Sequence, residues 1–273
     1  MINIGQRNML EIARFCDFGA YLREPGGKDE ILLPMRYLTE AMSVGDMLDV
    51  FVYTDSEDRP VATTDAPLAQ VGDIAVLEVV GANRFGAFLD WGLPKDLLVP
   101  HSEQRARMQV GRSYPVYIYL DNASQRVAAS AKIGKFIGNL YPELKRGEEV
   151  TAVVYERNEV GFRCAVNSLH QGIIYADEAF RPIHIGDTLT AYVKLVRPDG
   201  KIDLTLSGNA ADRTRELADR IEEALRVAGG HIDLGDNSDP DDIRRAFQCS
   251  KKDFKKAIGL LLKTSRATRD SFA

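Results

Sequence analysis

Nothing in this 273-residue chain approaches the roughly 20 consecutive apolar residues that cross a bilayer. The first residues, Met1 to Arg7, lack the long apolar stretch of a signal peptide, so a cytoplasmic protein without a membrane partner is expected. The three cysteines, Cys16, Cys164 and Cys249, are far apart and form no Cys-x-x-Cys pair, which excludes a disulfide framework and a zinc site. We expect all three as buried, inert thiols. The four histidines, at 101, 170, 184 and 231, have no metal-ligand spacing. A P-loop, a Rossmann glycine fingerprint and a His-Glu-x-x-His pair are absent. The single tryptophan, Trp91, suits packing at a strand end better than holding a cofactor. Asp239, Asp241 and Asp242 fall in the first turn of a helix, where carboxylates favour the macrodipole and need no ion. A non-enzymatic protein follows, with no catalytic residues, cofactor or metal.

What is present is an ordinary globular composition, 45% apolar and 27% charged, with an uneven distribution of charge. The formal net charge is −5. Residues 1–65 carry 6 basic and 12 acidic side chains, whereas residues 66–140 carry 8 and 6 and residues 212–273 carry 13 and 12. Local charge, not the total, sets the field that a polyanion meets. The second and the last segments are therefore the candidates for meeting phosphate.

The sequence repeats as a module. Phe18-Gly-Ala-Tyr21-Leu22 returns 67 residues later as Phe85-Gly-Ala-Phe88-Leu89. Each copy leads to an apolar run ending in proline, at Pro34 and Pro100, and then to a glycine before a strand-like segment, Gly45 and Gly111. A fainter third copy sets Gly147, Gly161 and Gly186 at a constant offset of 75 from Gly72, Gly86 and Gly111. In the clearest copy Ile74 to Val80, Ala87 to Trp91, Leu97 to Val99, Tyr114 to Leu120 and Val127 to Ala131 read as five short strands. Five strands in about 60 residues suit a Greek-key barrel of the OB type, with an SH3-like barrel as the competing fold.

The character changes after Ser207. Leu217, Ile221 and Leu225 recur every four residues in an amphipathic helix from Arg213 to Ala228, stopped by Gly229-Gly230. Ile232 to Leu234 can form one short strand. Ser238 is the expected cap of a second helix and Ser250, with Asp253, of a third. Helix, short strand, helix, tight turn, helix is the order of a winged helix-turn-helix. The predicted fold is thus mainly β with an α C-terminal domain: barrels at 1–66, 67–140 and 141–210, then a winged helix at 211–273.

Two groups of side chains point to nucleic acid. The first is Phe85 and Phe88, matched by Phe18 and Tyr21. Single-stranded bases stack on aromatic rings exposed on such barrels, at roughly 1–3 kcal/mol per base. Residues three apart share a face only if the backbone bulges, and Gly86 is the expected site of that bulge. The competing assignment puts one or both rings in the barrel core. His101 can stack or donate to phosphate. Arg126 suits phosphate or base stacking, or else pairs with Asp121 to order a turn. The second group lies on the third helix. Phe254, Ala257, Ile258, Leu261 and Leu262 fall on one arc and Lys252, Lys255, Lys256 and Lys263 on the other, with Gly259 among the lysines. This stripe is either a solvated face or a phosphate-binding one; its place on the would-be recognition helix favours the latter.

The stretch from Gly72 to Lys132, with Arg84-Phe-Gly-Ala-Phe-Leu-Asp-Trp91, Leu98-Val-Pro-His-Ser102 and Arg126 to Lys132, resembles an S1 RNA-binding domain. That resemblance implies an RNA face of Phe85, Phe88, His101, Asp121 and Arg126. The first copy keeps Phe18, Tyr21, Asp55 and Arg59 but has Met35 at the histidine position. The third has Arg163 opposite Phe88 and Ala176 opposite His101, leaving Lys194, Arg197 and Lys201 to touch phosphate. With the tail sequences around Asp239 to Phe247 and Ser250 to Gly259, the whole chain resembles the conserved virulence factor B family. This implies three tandem S1/OB-type five-stranded β-barrels and a winged helix, in an RNA-binding regulator of gene expression that acts after transcription. The implied partner is single-stranded RNA, with DNA through the winged helix as the alternative, or a role as accessory subunit of an RNA-processing enzyme.

Overall fold

Tyr114 to Leu120 alternates at the strand period, and Val116 and Ile118 are fully buried while Tyr117 and Tyr119 are left half-exposed. The same logic, repeated over fifteen strands, closes three barrels in a computed structural model that describes residues 2–179, 182–206 and 210–273. Ser207, where the sequence changes character, lies outside the described residues. The first barrel comprises β1 (Arg7–Cys16), β2 (Gly19–Arg23), β3 (Glu30–Pro34), β4 (Met47–Thr54) and β5 (Pro60–Thr63). The second comprises β6 (Ile74–Ala82), β7 (Gly86–Leu89), β8 (Leu97–Pro100), β9 (Ser113–Leu120) and β10 (Val127–Ser130). The third comprises β11 (Glu149–Arg157), β12 (Gly161–Val166), β13 (His170–Tyr175), β14 (Thr188–Val196) and β15 (Ile202–Thr205). In each barrel the third strand pairs in parallel with the fifth and the first in antiparallel with the fourth, which removes every sheet edge.

The repeat is explained by two backbone features. The first strand of every barrel has a register shift at the same place, between Ile12 and Arg14, Val79 and Gly81, and Val154 and Glu156. The bulge expected at Gly86 therefore sits across from it, on β6. Gly86 instead permits a close approach of two strands, because a Cβ there would lie 2.1 Å from the carbonyl oxygen of Val99 on β8. Gly19 and Gly161 stand equally close to the carbonyls of Leu33 and Ile174, at 2.1 and 2.2 Å. The three glycines are thus fixed by how closely the second and third strands approach.

The chain divides into units Met1–Asn139 and Leu140–Ala273. Within the first unit the two barrels share a core. Phe51, Tyr53 and Val61 of the first barrel join Leu77, Val79, Leu89 and Trp91 of the second in one buried cluster. Trp91 packs at the end of β7, edge-on to Phe51 with ring centroids 5.6 Å apart, and its indole N–H donates to the carbonyl of Lys95 at 2.6 Å. Burying a ring such as Phe51 contributes about 1.5–3 kcal/mol, and the edge-to-face geometry about 0.5–1.5 more. Gly5 completes the joint. Its φ is +80°, its carbonyl accepts from Val71 N–H at 2.8 Å, and a Cβ would come 2.3 Å from Val71 Cγ2.

In the second unit the barrel core is built from Val150, Val154, Phe162, Cys164, Ile174, Ile202 and Leu204 among others. After it come α1 (Ala210–Val227), α2 (Pro240–Phe247) and α3 (Lys251–Lys263). Leu217, Ile221 and Leu225 pack with Ile243, Phe247, Phe254 and Leu261. The cap of α2 is Asp239, whose carboxylate accepts from Asp241 N–H at 2.8 Å, and not Ser238, whose hydroxyl instead accepts from Gly235 N–H. Proline at the first helical position leaves the preceding residue as cap, one residue later than the sequence pattern suggests. Ser250 caps α3 as expected, accepting from Asp253 N–H at 3.1 Å. The strand expected at Ile232 to Leu234 reduces to one parallel bridge between Ile232 and Phe272. Cys164 and Cys249 are buried, and burial pushes their thiols up to about 12 and about 11. Cys16 is only half-buried, because it ends β1 beside the exposed turn that carries Phe18. No helix among the described residues is long and apolar enough to cross a membrane. Among the same residues no three His, Cys, Asp or Glu side chains are placed to hold a metal ion.

Candidate nucleic-acid interface

The second barrel carries a cleft of about 590 Å³. Phe85, Phe88, Lys95, Tyr119, Asp121 and Arg126 line it, with Ser56 reaching in from the β4–β5 loop of the first barrel. Phe88 is half-buried on β7, opposite Leu98 of β8 and Gly81 of β6. Phe85 lies just before β7 in the turn and is 57% exposed, with its backbone N–H held by the Asn83 side chain at 2.8 Å. Neither ring belongs to the core, so the competing assignment is ruled out. They reach one cleft because Phe85 is off the strand and β6 bulges opposite, not through a bulge at Gly86.

His101 is exposed at the start of the short 3-10 turn after β8, and its Nε2 lies 3.1 Å from the carbonyl of Asn83. Asp121 and Arg126 flank the β9–β10 turn, where Asp121 N–H donates to the Arg126 carbonyl at 2.9 Å. Their side chains do not pair. Ser124 donates to the Asp121 carboxylate from its hydroxyl at 2.6 Å and from its backbone N–H, which holds that carboxyl below its ordinary range. Arg126 turns instead to Asp58 in the β4–β5 loop of the first barrel. Lys95 donates to the Asp55 carbonyl in the same loop and lies 3.7 Å from Asp58. The turn alternative fails because a carboxylate from another module is the better-placed partner.

Tyr119 belongs to the cleft although no motif marks it; its signal is the alternation of β9, which sets Tyr117, Tyr119 and Asp121 on one outward face. Its ring stacks on Phe136, 5.2 Å away, so it is a fixed wall and not a loose ring. Burial raises the Asp96 carboxyl at the cleft's edge, with the charge of Asp90 adding to the effect.

The first barrel differs at the matching positions. Phe18 is 58% exposed, but the ring of Tyr21 is covered by the Arg14 guanidinium at 3.9 Å, itself held by Glu30 at 2.8 Å. Met35 is exposed where the second barrel has His101. Arg59 pairs with Asp55 at 2.8 Å, as the repeat implied. In the third barrel Arg163 pairs with Glu156 at 3.1 Å. Of its phosphate candidates, Arg197 is tied to Asp203 at 2.6 Å and Lys201 to Asp199 at 2.9 Å, and Lys194 sits 6.0 Å from the Tyr175 ring.

On α3, Phe254, Ala257, Ile258 and Leu261 are buried, while Lys252, Lys255, Lys256 and Lys263 are all exposed. Lys256 pairs weakly with Asp253 at 3.4 Å. Among the described residues the other three have no carboxylate partner. Gly259 lies in the same exposed arc, with nothing within 4 Å of a Cβ built there.

Comparison with known proteins bears on these surfaces. The S1 domain family matches residues 4–65 and 71–131, and the CvfB-like winged helix domain family matches residues 219–269. The chain matches the CvfB family. YitL of Bacillus subtilis (strain 168) is 29% identical over 274 residues, covering 98% of this chain and 91% of that protein. Conserved virulence factor B of Staphylococcus epidermidis (strain ATCC 12228) is 23% identical over 268 residues, covering 95% and 90%. A solved multidomain protein with nucleic acid binding domains from Streptococcus pneumoniae is 23% identical, with a TM-score of 0.44 and coverage of 99% and 97%. S1 and winged-helix domains are nucleic-acid-binding modules and not catalytic families, so nucleic-acid binding is the shared property of this CvfB-family chain.

Proposed function

We propose that this protein binds single-stranded RNA on the second barrel and regulates gene expression after transcription, as a cytoplasmic, non-enzymatic factor. The observation that carries this reading is the pair Phe85 and Phe88, exposed and half-exposed beside one open cleft with a cation at its rim. Unpaired bases present a π-face to such rings, whereas a duplex hides it inside its stack. Phe85, Phe88 and His101 are the base-contacting residues, Asp121 orders the turn, and Arg126 exchanges Asp58 for a phosphate. Phe18 and Tyr21 make a weaker contact. Lys252, Lys255, Lys256 and Lys263 add phosphate contacts, which raise the whole affinity through effective concentration. The working divisions of the chain are 1–66, 67–140, 141–210 and 211–273.

The test is fluorescence anisotropy with labelled single-stranded RNA, single-stranded DNA and duplex DNA at several salt concentrations. Single-stranded RNA is expected to bind tightest, and Phe88→Ala to weaken it. A second reading, duplex DNA binding led by α3, rests on three exposed lysines with no carboxylate partner among the described residues. A duplex preference with a steep salt slope, abolished by Lys255→Ala/Lys256→Ala and indifferent to Phe88→Ala, would establish that reading instead.

A further inference from the structure

Beside the aromatic cleft is a second, open one of about 620 Å³, lined by Asn83, Arg84, His101, Gln104, Arg105 and Arg107 among others. The two meet along the β6–β7 turn and the end of β8, where Phe85 and Pro100 line one and their neighbours Arg84 and His101 line the other. The second cleft has no acidic side chain in its lining. Its wall is built, not loose. Gln104 is buried, donates from Nε2 to the Val99 carbonyl at 3.0 Å and accepts from Met108 N–H at 3.2 Å, which pins the segment that carries Arg107. Arg105 Nε donates to the Ala131 carbonyl at 3.1 Å. Arg84 lies over the Phe85 ring, 4.8 Å from its centroid. Among the described residues neither Arg84 nor Arg107 has a carboxylate partner.

The contrast with the other rim is one of charge. Arg126 is already paired with Asp58, and Lys95 with the same loop, so the cations there meet a phosphate only after giving up an internal partner. Arg84 and Arg107 have no such competitor, and a guanidinium offers two parallel N–H groups to the oxygens of a phosphate. We propose that this cleft is a phosphate subsite: it receives the phosphodiester that adjoins the base stacked on Phe85, and Arg84 and Arg107 bind its oxygens. This rests on the reading of the second barrel as a single-strand binder and adds to it the path by which the strand leaves the rings.

The experiment is salt-titrated anisotropy of the full chain and of Arg84→Gln/Arg107→Gln, with single-stranded RNA and single-stranded DNA dodecamers of one sequence. Arg107→Gln alone, at a fully exposed side chain, and Phe88→Ala accompany them. For two lost contacts the slope of log affinity against log salt is expected to fall by roughly 1.4 in magnitude, at about 0.7 per single-strand phosphate, and for Arg107→Gln alone by about half of that. The drop is expected equally with RNA and DNA, since both carry the phosphate. An unchanged slope, with Phe88→Ala still weakening binding, overturns the subsite and leaves the single-strand reading intact. A drop confined to RNA also overturns it, because the arginines would then be sensing the ribose. If neither Phe88→Ala nor the arginine variants alter binding, the single-strand reading falls and takes the subsite with it.

Discussion

The first and second barrels share their strand order, their bulge and the glycine that lets the second strand approach the third, yet at equivalent surface positions they carry different chemistry. In the second, Phe88 borders a cleft with Phe85, and His101 follows β8. In the first, the equivalent Tyr21 lies under Arg14, and Met35 replaces the histidine. What was duplicated and kept is therefore the scaffold. Ligand chemistry sits on side chains that the scaffold tolerates but does not require, so a match to a fold family settles the first and leaves the second to be tested position by position.

The largest expected effect tests the shared scaffold. Gly19→Ala and Gly86→Ala each place a Cβ about 2.1 Å from a backbone oxygen, and each is expected to destabilise by about 3 kcal/mol, the upper end for overpacking. Urea melts of the two variants should give matching losses; a clear inequality breaks the equivalence of the barrels. Next comes the difference in surface. Phe88→Ala should weaken single-stranded RNA binding by roughly 1–3 kcal/mol, a ten-fold loss or more, whereas Tyr21→Ala should change it less than two-fold, as read by anisotropy. Equal losses would mean that Arg14 does not shield Tyr21. A smaller effect is expected from Asp58→Asn, which frees Arg126. Exposed ion pairs are worth about 0–1 kcal/mol, so affinity should rise by at most about five-fold. A fall would show that the acidic loop helps to hold the ligand.

The smallest is a pH effect confined to the second barrel. Burial works to raise the Glu103 carboxyl, but hydrogen bonds from Ser130 and Lys135 outweigh it and hold the group below its ordinary range. A carboxyl lowered on folding contributes stability that is complete above its unfolded value, about 4.3, and is lost as pH falls through the lower folded value. Urea melts between pH 7 and pH 3 should therefore show a loss of stability on acidification that Glu103→Gln reduces. An identical pH profile for the variant would mean that Glu103 is not the group responsible.

Much of the scaffold was legible in the sequence because it is periodic. The 67-residue repeat, the alternation in β9 and the capping serine at 250 are local patterns, and local patterns survive in a linear string. The aromatic pair was legible for the same reason. The partner of Arg126 was not. Asp58 is remote in sequence and meets it only because two barrels dock through Phe51, Trp91 and Gly5, a joint with no period and no motif. The arginine cleft escaped for a related reason: Arg84 and Arg107 lie on opposite sides of two strands, and only closure of the barrel sets them along one wall.

The docking of Phe51 on Trp91 also has a consequence for how the chain is made. A ribosome releases the first barrel with Phe51, Tyr53 and Val61 uncovered, since the tryptophan that covers them is still to be translated. At roughly 5–20 residues per second that interval lasts on the order of seconds, long compared with the closing of a small barrel. Nascent chains stalled between the two barrels should therefore be the most chaperone-dependent stage in the life of this protein, and the β6–β9 segment acts as the lid that ends it.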